Sequence, residues 1–162
     1  MLNFINATIA SNGAPTGGNI INSGGTINLR STIVANPTQD GNCSGPVTSG
    51  GFNLEFPGTT CNLEVKADPK LGPLQNNGGQ TFTHALLTGS AAIDAVQSGC
   101  PPPAEDQRAI ARPLDGDSNG VALCDIGAFE AAVGTGGLVV APVGVIAPIA
   151  PIVPVAPVVQ QQ

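Results

Sequence analysis

The sequence contains no tryptophan or tyrosine and only five phenylalanines among 162 residues. Charge is also scarce, since Asp, Glu, Lys and Arg make up 10% of the chain, against about 25% in ordinary soluble domains. The net charge is −6 and only five residues are basic. Five scattered cations cannot form the clustered positive surface that neutralises nucleic-acid phosphates, so a nucleic-acid partner is excluded. The core must be built from Ile, Leu, Val and Ala.

None of the cysteines stands in a C-x-x-C motif, which argues against a zinc ribbon. The four cysteines form two sequence-local pairs, Cys43 with Cys61 and Cys100 with Cys124, and so predict two disulfides. Disulfides indicate an extracellular or cell-surface location. Residues 1–13, however, lack the basic and apolar regions of a signal peptide. We therefore expect the C-terminal piece of a longer secreted protein.

Turn-forming residues are abundant, with 22 Gly and 15 Pro, which favours short strands over helices. A T-I-x-x-N motif occurs at residues 8–12 and again at residues 32–36, an offset of 24 residues. Such a period predicts stacked coils of a β-solenoid in residues 1–68. A bond between Cys43 and Cys61 would staple consecutive coils, because stacked strands lie about 4.8 Å apart. An ordinary loop disulfide is the alternative.

The last segment, residues 131–162, carries no charged residue. Its apolar stretch from residue 138 to 159 is long enough to span a membrane, but five prolines exclude a transmembrane helix. We expect an extended tail that lies on its own chain or on a neighbouring copy, or that is a disordered linker. Four prolines recur at every third position, as in polyproline II, and are candidate assembly residues: Pro148, Pro151, Pro154 and Pro157.

The loop from Asp115 to Gly120 reads D-G-D-S-N-G, which is the opening of a calcium-binding loop. Its candidate calcium ligands are Asp115, Asp117 and Asn119, and calcium is the only cofactor that the sequence suggests. The EF-hand form fails, because Ile126 occupies the twelfth position where a bidentate Glu is required. The alternative interpretation is an Asx-rich surface turn.

Four isolated charges lie in segments rich in Ala, Ile and Pro: Asp94, Asp106, Arg108 and Arg112. We predict buried or half-buried ion pairs and turn caps, because irregular segments leave backbone groups without ladder partners. A carboxylate pair for glycoside hydrolysis is the functional alternative. His84, the only histidine, is expected to be structural, since no carboxylate partner is fixed by the sequence. No catalytic residue is predicted.

Three runs of the middle segment closely resemble the choice-of-anchor Q domain: LGPLQNNGGQTFTHALLTGSAAIDA, DQRAIARPLDGD and CDIGAFE. That domain closes the C-terminal end of secreted bacterial proteins built from right-handed parallel β-helix repeats. The preceding runs GGTINLRSTIVAN, GNCSG and GGFNL look like the final coils of such proteins, so the resemblance covers residues 24–130. Together with the period of residues 1–68, it implies β-helix coils in that segment and an irregular cap, with the predicted second disulfide, in residues 69–130. The resemblance implies no established catalytic activity.

These observations predict a non-catalytic structural protein of the cell surface or the extracellular space. Its exposed coil end and its tail would join copies head to tail into a fibre. The first alternative is an adhesin or carbohydrate-binding module that depends on calcium, with host or cell-surface glycans as partners. The second is an enzyme acting on polysaccharide. The expected partners are therefore copies of the chain itself, or glycans.

Overall fold

The computed structural model describes residues 1–132 and is all-β, as predicted. It has ten strands and no helix within those residues. The strands are short because Gly, Asn and Ser turns separate them. In chain order they are β1 Leu2–Ile5, β2 Thr8–Ala10, β3 Ile20–Ile21, β4 Ile27–Arg30, β5 Ile33–Ala35, β6 Cys43–Ser44, β7 Thr48–Ser49, β8 Leu54–Phe56, β9 Leu71–Gln75 and β10 Thr83–Leu86.

The first eight strands form three parallel sheets, because each of β1 to β5 pairs with the strand three places further along the chain. The sheet orders are β1-β4-β7, β2-β5-β8 and β3-β6. The chain thus visits the sheets in the same order on successive passes. We call β1 to β3 the first pass, β4 to β6 the second pass, and β7 and β8 the third pass.

Equivalent positions of the first two passes are one residue further apart in the sequence than the offset of 24 residues that the T-I-x-x-N motif predicted. Thr8 pairs with Ile33, and Ile9 pairs with Val34. Neighbouring side chains on a strand point to opposite faces, so a shift of one residue changes the face that each isoleucine occupies. Ile33 and Ile9 indeed belong to different hydrophobic clusters. The alignment at 24 residues was therefore wrong, because it placed both isoleucines on one face.

The sheet β2-β5-β8, which we call the central sheet, is buried on both faces. On one face, Val34 belongs to an inner cluster that it shares with Leu29 and other residues of the two remaining sheets. On the opposite face, Ile33 and Leu54 belong to an outer cluster that residues 85–131 complete. All three residues of β5 are consequently apolar and fully buried.

Residues 57–66, which we call the closing segment, cover the end of the stack beyond the third pass. Glu55 holds them in place, since its fully buried carboxylate accepts the N–H groups of Cys61 (2.8 Å) and Leu63 (3.5 Å). Val65 then continues the central sheet through a parallel bridge to β8. The last strand edge of the central sheet is thereby paired within the chain.

Both predicted disulfides are present. Cys43–Cys61 joins β6 to the closing segment, with 5.0 Å between the Cα atoms. Cys100–Cys124 closes a loop in the segment after residue 69, with 6.1 Å between the Cα atoms. Loops of this length make each bond worth about 3 kcal/mol in the chain-entropy description.

Residues 69–130 lie beside the central sheet, and we call them the lateral layer. They begin with the antiparallel hairpin β9–β10 and continue as mostly irregular chain. The N–H of Gly127 donates to the carbonyl oxygen of Ser31 (2.9 Å), and the N–H of Ala128 donates to the hydroxyl of Thr8 (3.1 Å). These contacts reach the second and first passes. The segment therefore flanks the stack, whereas the resemblance predicted a cap at its end.

The predicted tail, with Pro148, Pro151, Pro154 and Pro157, lies outside the described residues. Within residues 1–132, no helix has the length and apolar character needed to cross a membrane.

The close approach of the lateral layer to the central sheet predicts a strong effect of Gly127→Ala. A β-carbon at this position would lie 2.8 Å from Ile33 Cδ1 and 2.8 Å from Thr8 Oγ1. The backbone φ of 102° adds strain for any residue other than glycine. We expect urea unfolding to show a loss of about 2–4 kcal/mol in the free energy of unfolding.

Gly120→Ala is the matched control for this substitution. Gly120 also has a positive φ, of 90°, but a β-carbon there would have no neighbour within 4 Å. The control variant should therefore lose only the strain contribution, about 1 kcal/mol. Equal losses in the two variants would show that the layer does not press against the sheet at Gly127.

Candidate functional site

Arg112 and Glu130 form a buried ion pair within the lateral layer. Their Nη1 and Oε2 atoms are 2.5 Å apart, and both side chains are at most 1% exposed. The guanidinium also donates to the carbonyl oxygens of Asp125 (3.1 Å) and Gly127 (2.8 Å). Glu130 in turn accepts the N–H groups of Leu114 and Asp125. The pair thus joins stretches of backbone that have no sheet ladder.

Asp106 and Arg108 form a second ion pair, with 2.6 Å between Oδ2 and Nη2. The carboxylate of Asp106 also accepts the N–H groups of Ile110 (3.1 Å) and Glu130 (2.9 Å). The guanidinium carbon of Arg108 lies 3.5 Å from the centre of the Phe129 ring, a cation–π contact. The predicted pairing of isolated charges is therefore confirmed for Asp106 and Arg108.

The sequence interpretation missed the partner of Arg112. Glu130 was not singled out, although it is an acid at the end of the apolar run DIGAFE, which is an unusual place for an exposed charge. Asp94, by contrast, was expected in an ion pair or as a turn cap, and within the described residues it forms no ion pair. Its carboxylate accepts backbone N–H groups instead, which agrees with the predicted turn-capping role.

Asp125 is a fully buried acid whose carboxylate accepts the N–H groups of Asp94 (2.8 Å) and Ala131 (2.6 Å). Burial raises the pKa of Asp125 to about 7, and the negative charge of Glu130 acts in the same direction, against those two N–H donors. A raised pKa is typical of catalytic acids. Both carboxylate oxygens of Asp125 accept backbone N–H groups inside the layer, however, so the pKa shift has a structural origin.

The pKa values of the two acids in ion pairs, Glu130 and Asp106, shift in opposite directions. Burial raises the pKa of Glu130, although the charge of Arg112 opposes the effect. Burial alone would also raise the pKa of Asp106, but N–H donors from Glu130 and the side chain of Arg108 bring that pKa below its ordinary value. Structural ion pairs often perturb pKa values in this way without any catalytic role.

The predicted calcium ligands are only partly brought together. One carboxylate oxygen from each of Asp94, Asp115 and Asp117 lies within 4.8 Å of the others. Asn119 turns to other partners, because its amide nitrogen donates to Asp117 (2.9 Å) and its amide oxygen accepts the N–H of Val121 (2.8 Å). The cluster therefore holds two of the three predicted residues and adds Asp94, which lies too far away in sequence for the loop motif to indicate.

Backbone N–H groups of the loop already bind these carboxylates. Asp94 accepts from Gly116 (2.9 Å) and Leu123 (3.1 Å), and Asp115 accepts from Gly120 (2.8 Å). The N–H groups of Asn119 and Val121 also donate to the side chains two residues before them, Asp117 and Asn119, as in the Asx-rich turn that was the alternative interpretation. A calcium ion takes six to eight oxygen ligands, so it would have to share these oxygens and recruit others.

A cleft of about 600 Å³ opens beside the acidic loop. Asp117 is the only acid among its described lining residues. Glycoside hydrolysis requires two carboxylates about 5–10 Å apart across the substrate. His84 does not line the cleft, and its Nδ1 lies 2.7 Å from the carbonyl oxygen of Gly72. The described walls of the cleft thus hold no acid–base pair.

Comparison with known proteins adds no identification. The chain matches no protein-family model, and no curated protein or solved structure is significantly similar to it. The resemblance of the middle segment to the choice-of-anchor Q domain therefore stays a prediction.

Replacing one partner of the buried ion pair tests its structural role. Glu130→Gln keeps the side-chain shape but leaves the charge of Arg112 buried and uncompensated. We expect the free energy of unfolding in urea to fall by about 3–5 kcal/mol. Glu105→Gln is the matched control, because Glu105 is exposed in the same layer, and it should change stability by about 0.5 kcal/mol at most. Similar losses in both variants would contradict the role assigned to the pair.

Proposed function

We propose that this chain is a non-catalytic structural module from the end of a secreted right-handed parallel β-helix. Two full passes over the same three parallel sheets, and a third pass over two of them, support the β-helix interpretation. The closing segment supports an end position, because it pairs the last strand edge within the chain. Two disulfides favour the extracellular space or the cell surface, where such bonds persist.

This proposal rests on one observation, namely that the buried acids bind backbone groups of their own chain. Glu55, Asp106, Asp125 and Glu130 are all buried, and each accepts backbone N–H groups of the same chain. A catalytic acid has to reach a substrate in a cleft. These four carboxylates instead satisfy irregular backbone that lacks ladder partners, which is the chemistry of a scaffold.

We also propose that the choice-of-anchor Q resemblance reflects a surface role in which copies of the chain join into a fibre. Head-to-tail pairing through strand edges is disfavoured, because the closing segment presents the exposed charges of Glu64 and Lys66 at that end. We therefore assign the joining of copies to residues 133–162 of the predicted tail, whose apolar composition requires cover from water.

A calcium-dependent glycan-binding module, as in an adhesin, is the second candidate. It is favoured by one observation, the convergence of Asp94, Asp115 and Asp117 next to an open cleft with polar and apolar walls. In this proposal the cation would fix the loop and the cleft would receive the sugar. Calcium is then a structural ion and supplies no catalysis.

Removal of residues 133–162 tests the structural proposal. Both hydrophobic clusters and both disulfides lie within residues 1–132, so the shortened chain should keep the melting temperature of the full chain. The full chain should form larger assemblies in sedimentation velocity at equal concentration. Equal masses for the two chains would contradict tail-mediated assembly.

Calcium titration followed by thermal melting tests the second candidate. Binding to the folded state alone adds about 2.7 kcal/mol of stability at 100 times the dissociation constant, so millimolar calcium should raise the melting temperature. Asp117→Asn should abolish the increase, and magnesium is the matched control ion. An unchanged melting temperature in calcium would remove the metal site and the calcium-dependent adhesin with it.

A further inference from the structure

The cleft of about 600 Å³ opens onto the outer cluster of the fold. Leu86 and Ala131 line the cleft and belong to that cluster, and the half-buried Ile93 packs against the same cluster from the cleft wall. Gly89 and Gly116 line the cleft as well, and the lack of a side chain lets a bound backbone approach these walls closely. The interior of the cleft therefore suits an apolar segment of chain.

The polar lining residues of the cleft add hydrogen-bond donors and little charge. Thr88 and Ser118 are exposed, and their hydroxyls can donate to a bound molecule. Asp117 is the only charged residue among the described lining residues, and its carboxylate already accepts the N–H of Asn119 (3.0 Å). The cleft therefore complements a partner that is apolar, uncharged and rich in carbonyl acceptors.

The predicted tail has this chemistry. Residues 133–162 contain no charged residue, and prolines recur at every third position from Pro148 to Pro157 with Ile, Val and Ala between them. This spacing favours polyproline II, in which the carbonyl oxygens have no internal partner. Proline also has no N–H group that a cleft would have to satisfy. Segments of this kind bind grooves with a small loss of conformational entropy, because they are extended before they bind.

The cleft also lies where the tail begins. Ala132, the last described residue, is one of its lining residues. Residues 133–147 separate it from Pro148. Proline-rich segments are stiff, which disfavours the reversal that would return residues 148–157 to the cleft of their own copy. Because every copy carries a tail and a cleft, a contact between the tail of one copy and the cleft of the next is heterologous and can propagate.

We propose that the cleft of one copy receives residues 148–157 from the tail of a second copy. The inference rests on the tail-mediated joining proposed above and names the surface that receives the tail. Ile149 and Ile152 share one side of a segment with three residues per turn, and in this contact they pack on Leu86 and Ile93. The second candidate function assigns the same cleft to a sugar, so the two candidates differ in its occupant.

Thr88→Lys tests the cleft in the full-length chain. Thr88 is exposed, so the variant should melt within about 2 °C of the wild type. An uncharged segment cannot compensate the new ammonium group, so the association constant should fall at least about tenfold. Thr59→Lys is the matched control, because Thr59 is exposed on the closing segment and does not line the cleft. In sedimentation velocity only Thr88→Lys should reduce the assemblies, and wild-type assemblies in this variant would overturn the inference.

Mixing two full-length variants tests whether the contact joins different copies. Thr88→Lys keeps an intact tail, whereas Ile152→Asp keeps an intact cleft and places a charge in the tail. Each variant alone should sediment as a monomer at a concentration where the wild type assembles. An equimolar mixture should contain a complex of twice the monomer mass, because one intact tail can enter one intact cleft. A mixture that stays monomeric would overturn the contact between copies.

A measurement on the wild-type chain does not depend on whether a variant folds. The N–H of Ile93 donates to the carbonyl oxygen of Ser90 (3.3 Å), and the N–H of Asn62 makes the equivalent bond to Thr59 (3.2 Å) away from the cleft. When the protein is concentrated 100-fold, amide hydrogen exchange should slow at least about tenfold at Ile93 and stay unchanged at Asn62.

The exchange measurement also separates the inference from the proposed function. If the full chain forms larger assemblies than residues 1–132 but exchange at Ile93 does not depend on concentration, the tail joins copies at another surface and the cleft is overturned as its receptor. If the full and shortened chains have equal masses, tail-mediated joining itself fails and the inference fails with it.

Discussion

Burial of the central sheet on both faces is the constraint on which the rest of the structure depends. The inner face, through Val34, joins the three sheets into one cluster. The outer face, through Ile33 and Leu54, would expose a broad apolar surface if it had no cover. The lateral layer supplies that cover, and its position beside the stack follows from the location of the apolar surface.

This arrangement leaves the lateral layer with irregular backbone. Buried charged side chains bind the polar backbone groups that have no ladder partner. The lateral layer has one hairpin and otherwise few ladder bonds, so its N–H and carbonyl groups need side-chain partners. Arg112, Glu130, Asp106 and Asp125 provide them. A chain with only 10% charged residues thus places several of its charges in the interior, where they bind backbone groups of the lateral layer.

The sequence predicted those features that depend on local chemistry. Turn residues and β-branched runs indicated an all-β chain, and the cysteine spacing indicated both disulfides. The remaining features depend on long-range packing. The register between Thr8 and Ile33 follows from which face needs a hydrophobic residue, and a repeated motif does not determine it. The partner of Arg112 is likewise fixed by how the layer folds over the sheet, so no spacing rule indicates Glu130.

Stack and lateral layer should accordingly form one cooperative unit, since the outer cluster is shared by both. Native-state hydrogen exchange at Ile33, in the central sheet, and at Ile126, in the layer, tests this most directly, because both N–H groups are hydrogen-bonded and both residues are fully buried. The two amides should have the same opening free energy and lose it together as urea is added. Exchange at Ile126 with a much lower opening free energy, while Ile33 stays protected, would show that the layer opens separately and would contradict a single shared core.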